Sequence, residues 1–201
     1  MNLGDFFMAH YFTNEENLKS EINKVSVSIN DFNYYFYTDN GVFSKKELDF
    51  GTELLLKTFL YTYPQQKKVL DMGCGCGAIG IYAVIQGFNV DMCDVNKRAI
   101  NLTKLSLSKQ NLKAKVFESD AYKNVKGKYD YILSNPQIRV GKDKLYEIVM
   151  NAKNHLNEEG EVWIVVRKDK GALSLIRDMK NIYKNVDIIR KKKGFFVIKA
   201  K

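Results

Sequence analysis

Apolar and polar positions alternate in two rhythms along the chain, and the rhythm changes part-way. In residues 24 to 30, KVSVSIN, Val25, Val27 and Ile29 alternate with polar neighbours, and after Asp31 the aromatic run FNYYFYTDNG reads as a returning strand. This predicts an N-terminal β-hairpin. From Asp49 to Tyr61 the apolar residues Phe50, Leu54, Leu55 and Phe59 recur at helical spacing, and Pro64 closes the segment. Beyond Lys67, short apolar strands take turns with helical segments: KKVLDM, a helix over about 78–86, FNVDMCD, a helix over about 97–110, AKVFES, YDYILSN, a helix over about 143–155, and EVWIVVR. That order predicts a parallel sheet covered by helices on both faces. A helix over about 172–182 precedes VDIIR and GFFVIKA, which are joined only by the basic link KKKG. A parallel crossover needs about a dozen residues, so the sheet is expected to end in an antiparallel pair. The fold class is therefore α/β: a doubly wound, Rossmann-like, mostly parallel sheet with an antiparallel last strand and a small N-terminal hairpin extension. Residues 1–48 read as that extension, packed on the core, and 49–201 as the main domain.

Composition narrows the setting. A chain of 201 residues can bury one sizeable core. Lys and Arg outnumber Asp and Glu by 32 to 23, and the net charge of +9 favours a polyanionic partner such as RNA, DNA or an anionic membrane surface. The three cysteines, Cys74, Cys76 and Cys93, lie in or beside apolar runs without paired spacing, which argues against a disulfide framework or a structural zinc site. No apolar run approaches the ~18 residues of a membrane span, and the start MNLGDFFMAHYF lacks the layout of a signal peptide. The expectation is a soluble cytoplasmic protein, with no metal and no membrane partner, and a monomer is favoured.

The chemistry concentrates at VLDMGCGCGAIG, residues 69 to 80. GCGAIG satisfies the dinucleotide pattern between a strand and a helix, yet Asp71 and Gly73 precede it. A pyrophosphate gains from helix N-terminal amides, whereas a nearby carboxylate repels it. A cationic ligand reverses that preference. S-adenosylmethionine carries an ammonium and a sulfonium and no phosphate, so the turn of Gly73, Gly75 and Gly77 would let backbone approach it while Asp71 supplies negative charge. An acid for ribose hydroxyls belongs at the tip of the next strand, about 20 residues on. Asp94, followed by Val95, stands there, and after the third strand Asp120 and the Ala121 amide are offered to the adenine ring.

Asp71 to Gly77, Asp94 and SNPQIRVGK together resemble a class I S-adenosylmethionine-dependent methyltransferase, in particular the small methyltransferase domain of bacterial 16S ribosomal RNA guanine-N2 methyltransferases. The likeness extends through HYFT at 10 to 13, DNGVFSKKELDFGTELLL at 39 to 56 and VWIVVRKDKGA at 162 to 172. It implies methyl transfer to an exocyclic amino nitrogen, with guanine N2 in 16S ribosomal RNA as target and ribosomal RNA or the small ribosomal subunit as partner. It also implies that Asn135 and Pro136 supply the acceptors that hold the amine, Asn135 bordering the donor as well. The family's motif has a second proline where this chain has Gln137, followed by Ile138. Gln137 gives up backbone stiffness and adds an amide hydrogen.

In-line displacement relies on alignment rather than on a covalent intermediate, so His10 and His155 are expected to be structural or surface groups, and Cys74 and Cys76 space-fillers. Unpaired bases stack on aromatic rings while cations hold phosphates. The resemblance brings Phe43 over the target pocket, with Phe50 as a possible wall of the donor site. Arg139 and Lys142 after the catalytic turn, and Lys168 and Lys170 after the fifth parallel strand, form a basic rim at the carboxyl edge of the sheet. Lys191 to Lys193 read as a solvated link. Three other readings stay open: a protein glutamine-amide methyltransferase, an RNA-binding protein that has lost catalysis, and a dinucleotide oxidoreductase.

Overall fold

The computed structural model describes residues 19–42, 47–59, 66–136 and 141–201. Strands β1 (Asn23–Ile29) and β2 (Phe32–Thr38) form the antiparallel hairpin. They turn through Asn30 and Asp31, both at positive φ, as a two-residue hairpin turn that suits Asn and Asp requires. Helix α1 (Phe50–Thr58) follows, with Asp49 as its cap. Then come β3 (Lys68–Met72), α2 (Ala78–Ile85), β4 (Asn89–Asp94), α3 (Lys97–Lys109), β5 (Lys115–Glu118), β6 (Tyr129–Ser134), α4 (Gly141–Asn151), β7 (Leu156–Arg167), α5 (Ala172–Met179), β8 (Val186–Lys192) and β9 (Phe195–Ala200).

Seven strands make one sheet in the order β5-β4-β3-β6-β7-β9-β8. Neighbours from β5 to β7 pair in parallel, whereas β9 runs antiparallel to both β7 and β8. The last strand thus inserts inside the one before it. Burial explains the exchange: β9 carries the continuous apolar run Phe196, Val197, Ile198, all buried, while β8 is largely exposed and ends in Arg190, Lys191 and Lys192. A continuously apolar strand belongs inside a sheet, and a lysine-rich one blunts an edge.

Alternation along the strands sorts side chains onto two faces. Val69, Leu133 and Val165 pack beneath the hairpin, α1, α2 and α3. Leu70, Ile132 and Ile164 pack beneath α4 and α5. The hairpin lies on α2 and α3: the Tyr34 hydroxyl donates to the Ala78 carbonyl at 3.0 Å and the Tyr37 amide to Ser106 Oγ at 2.9 Å. Gln110 pairs with both backbone groups of Tyr35, at 3.2 and 2.9 Å, and so supplies the open edge of β2 with a substitute strand partner.

The main departures from the sequence pattern are at element ends. Strand β7 begins at Leu156, five residues ahead of the EVWIVVR run, and takes in Gly160, where a Cβ would come within 2.8 Å of the Tyr129 carbonyl. Helix α4 ends at Asn151 and passes into a short 3-10 turn over Ala152–His155. Among the described residues no helix is long and apolar enough to cross a membrane, and no cluster of His, Cys, Asp and Glu could hold a metal ion.

Candidate active site

Strand β3 pairs with β4 on one side and β6 on the other, so the chain order reverses there and opens a crevice outside the strands' carboxyl ends. The turn after β3 fills its floor. The amides of Gly73 and Cys74 both donate to the Cys93 carbonyl at 2.9 Å, which bends the chain sharply across the end of β4. Gly73, Gly75 and Gly77 have φ of 70, 54 and 84°, a region that side-chain-bearing residues rarely enter. Their surroundings differ. A Cβ on Gly73 or Gly75 would meet nothing within 4 Å, whereas on Gly77 it would lie 2.7 Å from Thr103 Cγ2. The first two are bare toward open space, and the third is bare to let α2 pack on α3.

Asp71 lies beneath this turn with 0% exposure. Its Oδ2 accepts from the Gly80 amide at 2.8 Å, capping α2 from a distance, because Gly77 at the helix start has no side chain to do so. Its Oδ1 is buried without a partner among the described residues. Burial pushes the carboxyl up to about 7 against the lowering effect of the Gly80 amide, and the neighbouring Asp94 adds to the rise. Asp94, 3% exposed at the end of β4, accepts from the Gly75 amide through Oδ2 and from the Asn96 amide through Oδ1, both at 2.8 Å. It ties the glycine turn to the next strand. Val95 is half-buried beside it.

After β5, Ser119 shapes the next turn: its amide donates to the Asp94 carbonyl at 2.9 Å and its Oγ to the Ala121 carbonyl at 2.6 Å. Ala121 is held at φ 45°, an uncommon conformation for alanine. Asp120 is exposed and pairs with Lys144 of α4 at 2.6 Å, so an adenine amine at that carboxylate would share it with a lysine.

Strand β6 ends beside the turn, where Ser134 Oγ donates to the Met72 carbonyl at 2.7 Å. Asn135 follows. Its Nδ2 donates to both oxygens of Asp49, at 3.0 and 3.1 Å, and to Thr52 Oγ1 at 2.9 Å. A carboxylate only accepts, so the amide must turn its NH2 toward Asp49. Asn135 Oδ1 is left as an acceptor with no partner among the described residues. Asp49, Thr52, Asn135 and the stretch from Gly73 to Cys76 line one cleft that opens to solvent. Pro136 is buried beside it. Phe43, Gln137, Ile138, Arg139 and His10 lie outside the described residues.

The remaining sequence candidates take peripheral positions. Lys142, Lys168 and Lys170 are exposed on segments that follow β6 and β7. Phe50 is half-buried and packs its ring 5.5 Å from that of Phe195. His155 stacks on Tyr122 at 4.4 Å. Burial raises the thiols of Cys74 and Cys76, the latter to about 12, so neither is a thiolate nucleophile at neutral pH.

The family model described as the methyltransferase small domain matches residues 33–199. The chain belongs to that family. This small-domain methyltransferase is 36% identical to the Bacillus subtilis protein YbxB, over 96% of its own length and 98% of the other's. It is 39% identical to ribosomal RNA small subunit methyltransferase C of Haemophilus influenzae, over 75% of its length and 47% of that protein's. It thus spans about half the length of the ribosomal RNA methyltransferases it matches. Among solved structures, the T. thermophilus 16S rRNA N2 methyltransferase RsmC, in complex with AdoMet and guanosine, superposes with a TM-score of 0.82 at 23% identity, over 92% of this chain and 51% of that one.

Asp49 and Thr52 were not visible as site residues of this small-domain methyltransferase from sequence. Their signal was only the start of a helix: an Asp before an apolar-periodic run reads as an N-cap. Nothing local says that the same carboxylate reaches a residue 86 positions away.

Proposed function

We propose that this chain transfers a methyl group from S-adenosylmethionine to an exocyclic amino nitrogen, guanine N2 of 16S ribosomal RNA. The observation that carries the reading is the orientation of Asn135: with its NH2 claimed by Asp49 and Thr52, its Oδ1 stands as a fixed acceptor in the same cleft as the glycine turn. The named activities of the methyltransferase C relatives and of the T. thermophilus protein point the same way.

The residues suit the donor. Open space at Gly73 and Gly75, an unpartnered buried oxygen on Asp71 and a second carboxylate at Asp94 favour a cationic ligand without phosphate. In this reading Asp71, Gly73, Gly75, Gly77, Asp94, Val95, Asp120, Ala121 and Asn135 hold it. When bound, S-adenosylmethionine supplies an electrophilic methyl on a sulfonium.

The chain's own work is alignment. A purine amine is conjugated with its ring, and its lone pair becomes available only when its hydrogens are held out of the way. Asn135 Oδ1 and the Pro136 carbonyl accept those hydrogens and aim the lone pair at the methyl. Placement at near-attack distance of about 3–3.5 Å replaces a bimolecular search with an oriented encounter. Gln137, Ile138 and Phe43 border the base, and Arg139 and Lys142 hold flanking phosphate. The Asn-Pro acceptor pair would serve a protein glutamine amide as well, but a net charge of +9 favours a polyanion. Cytoplasmic 16S ribosomal RNA or the small subunit is accordingly the proposed partner.

Calorimetry tests the donor half of the reading. S-adenosylmethionine should bind with one-to-one stoichiometry and NADH should give no heat. Binding of NADH alone would replace this reading with the dinucleotide one.

A further inference from the structure

Ion pairs hold lysines at both edges of the sheet, Lys144 with Asp120 at 2.6 Å at the carboxyl edge among them. At the edge remote from the cleft, Lys67 pairs with Asp130 at 3.2 Å, Lys68 with Asp91 at 3.1 Å, Lys199 with Glu161 at 3.5 Å, and Lys201 with Glu159. At the carboxyl edge, Lys142, Lys168, Arg190, Lys191, Lys192 and Lys193 are all exposed, and none has a carboxylate partner among the described residues. Other exposed lysines, Lys126, Lys128 and Lys180 among them, also have no carboxylate partner among the described residues; what sets this group apart is that it shares the carboxyl edge of the sheet with Asn135.

The β8–β9 turn is the densest part of that charge. Lys192 stands opposite Phe195, which stands opposite Arg167, so one row across three strands joins the turn to the end of β7. The Lys168 amide fastens it further, donating to the Gly194 carbonyl at 2.8 Å. The turn itself has φ of 47° at Lys193 and 79° at Gly194, a geometry in which Asn or Gly ordinarily fills the first place. Lys193 holds it instead, with its ammonium 4.9 Å from the centre of the Phe50 ring. Phe50 directly follows Asp49, the residue that holds Asn135. Lys193 thus stands one residue from the cleft, Lys192 follows it on the same face of the hairpin, and Lys191, with its ammonium 5.0 Å from the centre of the Phe196 ring, flanks the turn from the opposite face.

We propose that Lys191, Lys192 and Lys193 form a phosphate-binding arm that grips the backbone of an RNA strand whose reactive base lies at Asn135. The inference rests on the RNA reading given above and adds to it a surface that the sequence pattern presents as a solvated link. Single-stranded RNA fits better than a flat anionic membrane, because the cations share an edge with a cleft that a base must enter from a flexible strand.

The test is the salt dependence of binding of the full chain to a 16S ribosomal RNA transcript, native against a triple variant carrying Lys191→Gln, Lys192→Gln and Lys193→Asn. Asn suits the positive φ at position 193, so the turn is preserved, and an undiminished melting temperature and unchanged S-adenosylmethionine affinity certify the fold. Each phosphate contact on a single strand contributes about −0.7 to the slope of log K against log salt. The arm predicts a slope shallower by about two in the variant. Identical slopes for the two proteins would overturn the arm and leave the RNA reading standing. A native chain whose RNA binding ignores salt, while it binds phosphatidylglycerol vesicles, would overturn both.

Discussion

Asn135 Nδ2 shares its hydrogens with both oxygens of Asp49, at 3.0 and 3.1 Å, while one of those oxygens also caps α1 through the amides of Gly51 and Thr52 at 2.9 and 3.2 Å. One carboxylate thus fixes a helix start and the orientation of an amide on a distant strand. The two duties separate by mutation. Serine caps a helix nearly as well as aspartate but cannot bracket the amide. Asp49→Ser is therefore expected to keep the melting temperature while kcat falls about tenfold to a hundredfold, with the KM for the donor little changed. Asp49→Ala should lose about 1 kcal/mol of stability as well, read by chemical denaturation.

Asn135→Ala removes the acceptor itself. Methyl transfer should drop by about 10² to 10³, the size of effect seen when one preorganised hydrogen-bonding group is deleted from an active site. Donor affinity, measured by calorimetry, should fall far less than turnover, because Asn135 is one of several residues that hold the donor but supplies the acceptor for the amine. Parallel loss of both would mean that Asn135 serves donor binding rather than the target amine.

The glycines give a matched pair. Gly75→Ala puts a methyl into open space at φ 54°, and Gly77→Ala drives one to 2.7 Å from Thr103. Both pay a backbone penalty of about 1–2 kcal/mol, but only the second also collides with the core. Gly77→Ala should lower the melting temperature more, and Gly75→Ala should weaken donor binding more than its stability change explains. Thermal melts with and without S-adenosylmethionine measure both effects.

Asp71 predicts a pH signature. Its folded carboxyl is raised to about 7 by burial, whereas an unfolded aspartate titrates near about 3.9. Below both values the group is protonated in either state and contributes no pH dependence. Between about pH 4 and pH 7 the folded form binds the extra proton, so its contribution to stability falls as pH rises, and it levels off above about 7. Asp71→Asn should remove that fall, seen in denaturation midpoints at pH 5 and pH 8. A cationic donor favours the ionised form, so native affinity should rise through the same window while that of the variant does not.

How much of this was legible beforehand follows from the range of the interactions. Periodicity is local, and it located the helices over 78–86 and 97–110 to within a residue of α2 and α3. The glycine turn and the acids at strand ends are also local patterns; the structure puts Gly73 and Gly75 on the cleft, Asp94 on the Gly75 amide and Asp71 buried beneath the turn. The insertion of β9 between β7 and β8 depends on which strand buries both faces; FFVIKA against VDIIRKK carried that contrast, but pairing order is a long-range property. The hairpin's seat on α2 and α3 rests on Tyr34, Tyr37 and Gln110, whose partners are 44 to 75 residues away. The bracket around Asn135 is of the same kind, for a cap residue looks identical from its neighbours whether or not a remote amide leans on it.

The central claim is that the glycine turn and the Asn135 acceptor form one methyl-transfer site for a nucleobase amine. The most direct measurement incubates 16S ribosomal RNA and small subunits from a strain lacking this protein with methyl-labelled S-adenosylmethionine and the native chain, then maps the labelled nucleoside by mass spectrometry. The account predicts label on N2 of one guanine, lost with Asn135→Ala. Label on a ribosomal protein, or none on either substrate despite demonstrated donor binding, would contradict it.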